Sequence, residues 1–289
     1  MKQIFLSFIA AFTCTVAMAQ SGDSILAYAV DSTQPKSTFT IGAVYTNNAS
    51  YYGQKSVEKM PYIALAAVYR HHSGLYITGM GYRLLNDSAK FGSAYSVGAG
   101  FAFPLGKSVN ADLSYDYSIY PKLSPFLQAA NPHSIDLTIT REGWVNLSVA
   151  GDYAFGKTND FFVTPQIDKD IDLFNIGKKA LVSFNPSLDL TAGTQHFYEY
   201  YLSEKSIRDS LIGILLPPVF GGSPQQEEGT LKTTSRFDML SYNLKLPLSY
   251  NRSNMKAEVS GQFSLLSNRA ETRPGKINSF FSAALYYQF

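Results

Sequence analysis

The chain is poor in charge, in cysteine and in long apolar runs, and each shortage removes a class of protein. Asp, Glu, Lys and Arg make up 16% of its 289 residues, against about 25% in a usual soluble domain. It has one Cys, Cys14, and one Trp. Beyond the first twenty residues, no stretch reaches the roughly 20 consecutive apolar residues that a membrane helix needs. A formal charge of +2, with Lys and Arg scattered, offers no electrostatic case for nucleic acid. Aromatics, in contrast, are abundant. Twenty Tyr and twenty Phe argue against disorder.

Residues 1–19 read as a secretory signal. Lys2 supplies the positive start, Ile4 to Val16 the apolar stretch, and Ala17-Met18-Ala19 the small-x-small cleavage pattern. The mature chain then starts near Gln20 and loses Cys14, which leaves no disulfide and no Cys-type zinc site. Residues 20–37, with Pro35 and several Ser and Asp, read as a short lead-in.

From Thr38 onward one pattern repeats: about ten residues of alternating character, then a turn. In Val109 to Tyr120, Val109, Ala111, Leu113, Tyr115, Tyr117 and Ile119 share one face. Asn110, Asp112, Ser114, Asp116 and Ser118 share the other. Alternate strand side chains point to opposite sides, so one face meets an apolar medium and the other a polar one. Twelve such segments lie near 38–47, 61–71, 74–85, 94–105, 109–120, 134–141, 144–156, 160–173, 179–195, 237–254, 255–268 and 277–289. In the segment at 237–254, Leu240, Tyr242, Leu244, Leu246 and Leu248 fall on the apolar face. Pro186 and Pro247 each remove a ladder donor, which implies a bulge or unpaired end nearby.

Long and short connections alternate along the chain, with 157–159 the short exception. Short turns on one side, long loops on the other and an even strand count describe a transmembrane barrel. The expected fold is therefore all-β: an antiparallel transmembrane β-barrel of 12 strands over 38–289, with periplasmic N- and C-termini. A hairpin hidden in the long loop at about 196–236 would move the count within 10 to 14. Tyr45, Tyr69, Tyr82, Tyr120, Trp144, Tyr250 and Tyr287 sit near strand ends, where interface belts form.

The last segment, Asn278 to Phe289, places Phe281, Ala283, Leu285, Tyr287 and terminal Phe289 on one face. It resembles the C-terminal strand of Gram-negative outer-membrane barrels. The resemblance implies that Phe281, Leu285, Tyr287 and Phe289 form a signal read by the barrel assembly machinery. Tyr69-Arg70-His71-His72-Ser73-Gly74-Leu75-Tyr76 and Leu190 to Tyr198 resemble a family of small outer-membrane barrels with no assigned activity. That resemblance implies an outer-membrane location, with outer-membrane lipid and lipopolysaccharide as surroundings.

Chemistry is sparse. His71-His72-Ser73-Gly74 superficially resembles the His-Ser pair of barrel lipid-A deacylases and phospholipases, but its turn falls on the periplasmic side. A nucleophile also needs a base within reach and a third group orienting it. His133 and His196 fall in or beside outer loops without a Ser-Asp constellation. Asp168-Lys169-Asp170-Ile171-Asp172 hints at calcium, yet Leu173 and Lys179 stand where an EF-type loop needs Gly and Glu. The expectation is no catalytic site, no metal and no cofactor.

The inward face says more. By parity Asp112, Asp116, Asp136, Asp152, Asp168, Asp189 and Glu258 face the lumen, with Lys245 as the one clear cation on a strand. Unpaired carboxylates in a narrow lumen would favour cations. Alternatively the acids pair with Arg70, Arg83 or Arg141 near the rims. Two functions follow: a passive channel for small solutes with a mildly acidic lumen, or a non-conducting structural or surface-interaction barrel using the 196–236 loop. A lipid hydrolase is the disfavoured third. Within that loop, 203–231 begins with an apolar-periodic stretch of Ile207, Leu211, Ile214 and Leu215, with a Ser start and a Pro stop, read as a short helix.

Overall fold

The computed structural model describes residues 36–55, 59–85, 94–122, 125–177, 179–198, 200–203, 236–268, 270 and 275–289. The signal segment 1–19, most of the lead-in and the helix expected at 207–215 lie outside the described residues. The strands are β1 (Thr38–Thr46), β2 (Tyr62–Arg70), β3 (Leu75–Leu84), β4 (Ala94–Pro104), β5 (Val109–Ile119), β6 (His133–Arg141) and β7 (Asn146–Phe155). They continue as β8 (Asn159–Asp168), β9 (Ile171–Ile176), β10 (Ala180–Phe184), β11 (Ser187–Gly193), β12 (Asp238–Arg252), β13 (Met255–Leu266) and β14 (Ile277–Gln288).

Each strand pairs antiparallel with its neighbour, and β1 pairs with β14 from Thr40↔Gln288 to Thr46↔Ser282, closing the wall. The closed circuit runs β1 to β8, then β11 to β14, which makes twelve strands. Sheet edges in lipid leave backbone groups unmet, so closure is the physical solution. The segments at 160–173 and 179–195 each divide in two. Pro186 has no N–H to donate, and the wall breaks there between β10 and β11. Opposite it, β8 and β9 separate at Lys169-Asp170, where Lys169 N donates to Pro186 O at 3.2 Å. Beyond the breaks, β9 and β10 form a hairpin that continues along β12, from Phe184↔Leu248 to Ala180↔Arg252.

The short β7–β8 connection at 156–158 lies at one end of the barrel, while the strand-to-strand turns at 71–74, 105–108, 142–145, 177–179 and 253–254 lie at the other, the end that holds both chain ends. There Phe289 N donates to Phe39 O at 2.8 Å and Gln288 N to Asn254 O at 2.8 Å. Outward positions are exposed and apolar: Leu113, Tyr115, Tyr117 and Ile119 on β5, and Phe281, Leu285, Tyr287 and Phe289 at the C-terminus. Inward positions are buried and mostly polar. Two inward glycines on β4 make room for larger neighbours: a Cβ on Gly98 would meet Asp116 Oδ1 at 2.0 Å, and one on Gly100 the Tyr76 ring at 2.3 Å.

Three sequence expectations need correction. Leu240 is fully buried rather than outward, because the β11–β12 register shifts at Thr191/Ala192 and the extra residue turns Leu240 inside. Tyr82 is buried and Tyr120 half-buried; both pack toward Phe126 beneath the long-loop end rather than joining an interface belt. Arg83 and Arg141 stand on exposed outward positions, leaving Arg70 as the buried arginine of the three.

Candidate functional site

The inner face and the loop that enters it form the candidate site. Seven acids lie on inward strand positions, and the most exposed, Glu258, is 9% exposed. Each has a partner. Tyr76 Oη donates to Asp112 at 2.7 Å, Ser134 to Asp136 at 3.1 Å and Thr78 to Asp116 at 3.5 Å. Asn146 donates to Asp168 at 3.0 Å and Asn243 to Asp189 at 2.6 Å. Tyr52 donates to Asp152. Two acids meet ammonium groups: Lys245 lies 3.2 Å from Asp189, and Lys256 lies 2.8 Å from Glu258.

The Tyr52 contact comes from a loop that enters the barrel. Between β1 and β2, Tyr51 and Gln54 exchange backbone hydrogen bonds of 2.8 and 2.9 Å. The two residues between them have positive φ, 50° at Tyr52 and 78° at Gly53. That is the geometry of a type I′ turn, which glycine accepts readily and tyrosine does not. The wall compensates for the strain. Ser241 donates to Tyr52 O at 2.7 Å, Asn278 to Gly53 O at 3.1 Å, and Gln195 to Gln54 Oε1 at 2.9 Å. The Tyr52 ring stacks on Phe162 at 4.1 Å, and Tyr51 meets Phe197 edge-on at 4.9 Å. Burial, reinforced by the Asp152 carboxylate, holds both phenols well above their ordinary pKa, so Tyr52 stays a donor.

A second layer covers this turn. Residues 196–198 and 200–203 are helical, and Phe197, Tyr198 and Tyr201 are buried against Tyr51, Tyr52, Phe162 and Leu240. Asp160 at the start of β8 anchors that helix. Its carboxylate accepts from the N–H groups of His196 and Phe197 at 2.8 and 2.9 Å, from Thr194 at 2.6 Å and from Asn131 at 2.8 Å. This satisfies orphan donors of the helix start from outside the helix. A 3-10 turn at Leu127–Ala130 completes the packing. The sequence signal for the plug is Tyr51-Tyr52-Gly53, aromatics beside glycine in a loop that has no lipid to face.

The histidines are placed as follows. His71 Nδ1 meets Ser73 Oγ at 2.9 Å and also accepts the Ser73 N–H at 3.3 Å, so it is His71, not His72, that engages the serine. This nitrogen is engaged in holding a tight turn. Among the described residues, no carboxylate orients His71. His196 lies 3.0 Å from Asp160, an acid neighbour that sequence reading did not assign to it. His133 stacks with Tyr117 and Phe155 on the outer wall. Between Asp168 and Asp170, the Asn146 amide donates to both, at 3.0 and 3.1 Å. Burial raises the Asp170 carboxyl despite hydrogen bonds from Asn146 and Asn185.

An exposed apolar exterior on a closed sheet with polar groups turned inward defines a transmembrane β-barrel. No family model matches the chain. No curated protein matches it either. Among solved structures, the chain is similar to a KdgM porin at 10% identity, covering 86% of this chain and 99% of that one, with a TM-score of 0.48. It is similar to a NanC porin at 6% identity, with 86% and 98% covered and a TM-score of 0.43. LpxR from Salmonella typhimurium follows at 8% identity, with 86% and 99% covered and a TM-score of 0.44.

Proposed function

We propose that this chain is an outer-membrane barrel whose lumen is closed by its own side chains and first loop, so that it acts through its rims rather than as a conduit. The supporting observation is the burial of the lining. A water path wide enough for solutes leaves the residues along it accessible, whereas all seven inward acids are at most 9% exposed. The Tyr51–Gln54 turn and the helix over it fill the long-loop end. This favours the non-conducting structural or surface-interaction reading, with the loop after β11 presented outside the cell and outer-membrane lipid and lipopolysaccharide around the wall.

The channel reading retains one supporting feature, the acidic inner face, which would favour cations once the plug left the lumen. A hydrolase reading would need a base held by an acid beside a serine, and the His71–Ser73 turn lacks that acid among the described residues. Liposome swelling tests the proposal. Vesicles containing heat-modifiable, folded protein should swell in small sugars no faster than protein-free vesicles. Swelling that depends on sugar size would overturn closure in favour of a porin.

A further inference from the structure

Among the described residues, β9 is the one strand with a single partner. It pairs with β10 from Ile176↔Ala180 to Ile171↔Phe184. On its other side the wall has ended, since the first residue of β7, Asn146, lies opposite Asp168. A row of backbone N–H and C=O groups therefore faces no strand among the described residues.

The side chains there are also uncovered. Trp144 is 85% exposed, Phe174 57%, Ile176 51% and Leu173 47%. Lipid could cover the side chains but not the edge, because hydrocarbon cannot satisfy open backbone donors. The edge therefore lies beyond the hydrocarbon. Trp144 marks the boundary: Lys169 Nζ stands 3.7 Å over its ring and donates to its carbonyl at 3.0 Å. Natural edges of this kind are protected by charge, proline or a bulge. Here the protection is one register shift at Val182/Ser183 and one acid, Asp172, which has no ion pair or hydrogen bond among the described residues.

We propose that the free edge of β9 is a docking site for an extended segment of a partner protein on the side of the membrane that holds the chain ends. The segment adds as a further strand, with apolar residues beside Phe174 and Ile176 and a Lys or Arg facing Asp172. The edge dictates an extended backbone, and the uncompensated acid dictates the sign of charge. A second copy does not fit. Because β10 runs along the unbroken β12, the hairpin continues the wall. Antiparallel pairing of two β9 edges would need a two-fold axis normal to that wall, which would invert one barrel in the membrane. The proposal concerns the rim opposite the plug and is independent of whether the lumen conducts.

The test uses the full-length folded protein in nanodiscs. The probe is a fluorescent peptide of about eight residues, an ordinary strand length, alternating valine and threonine with a central lysine. Expected are saturable binding and slowed amide exchange at 171–176. The fully N-methylated peptide should not bind, since it keeps the side chains and lacks the donors. Asp172→Lys should weaken the lysine peptide by about fivefold, as for exposed ion pairs, and favour a glutamate version. Equal binding of the N-methylated peptide, protection only outside 171–176, or no binding by the unmodified peptide would each overturn the proposal.

Discussion

Substituting Gly53 probes the plug at its tightest point. At a φ of 78°, an L side chain costs about 1–2 kcal/mol. The new Cβ of Gly53→Ala would stand 2.4 Å from Asn243 Oδ1 and 2.9 Å from Ser264 Cβ. Neither neighbour is free to swing away, because Asn243 is tied to Asp189 at 2.6 Å and Ser264 Cβ is fixed by its strand. Overpacking of this sort costs about 1–3 kcal/mol. Taken together, about 3 kcal/mol is lost from the docked turn. At about 1.4 kcal/mol per tenfold, the undocked population rises about a hundredfold. The mature chain is expected to have no cysteine, so Ser50→Cys, at a site 4% exposed, reports undocking through maleimide labelling of the folded protein. Labelling follows the open population when redocking outpaces the reaction. The Gly53→Ala background should label about a hundredfold faster than Ser50→Cys alone. An unchanged rate, in a barrel that still shows heat-modifiable migration, would refute the claim that this turn is held by fit.

Other outcomes follow from the same geometry. Asp160→Ala removes the acceptor shared by His196 N, Phe197 N, Thr194 and Asn131. It should weaken the helix at the barrel mouth by about 2 kcal/mol, seen as faster protease nicking after β11 with the barrel itself intact. Phe289→Ala removes a terminal ring packed 4.7 Å from Tyr287 and 5.9 Å from Phe39. The yield of folded barrel from assembly-machinery vesicles should fall, while folding in detergent persists. Ser73→Ala and His71→Ala should leave esterase and lipid-deacylase assays at the level of the parent protein, because among the described residues no acid orients His71, the histidine that meets Ser73. A measurable loss would restore the hydrolase reading.

Much of the wall is legible in the sequence because lipid imposes period two on every strand. Val109 to Tyr120 states both faces of β5 without ambiguity, and Pro186 announces the break between β10 and β11. Local departures are harder to see. Leu240 continues an unbroken apolar alternation, and only its pairing with β11 shows the extra residue that turns it inward. Tyr82 and Tyr120 resemble belt residues at strand ends until Phe126 is placed beneath them. The plug is less legible still, since loop 48–60 has no periodicity and its turn is held by Asp152, which accepts from the Tyr52 hydroxyl, and by Ser241 and Asn278, which donate to its backbone carbonyls, each on a strand far along the chain. The same holds for β9. In sequence its first residues, 171–173, read as the tail of a strand and Asn175 onward as a compact turn, and nothing local reveals that the strand runs to Ile176 or that β7 ends before reaching it.

A lumen filled by its own side chains should carry no current, and planar-bilayer recording tests this most directly. Folded protein, with insertion verified by a tag accessible on one side of the membrane, should show no current steps above the bare-bilayer baseline under applied voltage. Steady, ohmic steps from the same preparation would mean that water and ions cross among Asp112, Asp136, Asp152 and Asp189, and would contradict a filled lumen.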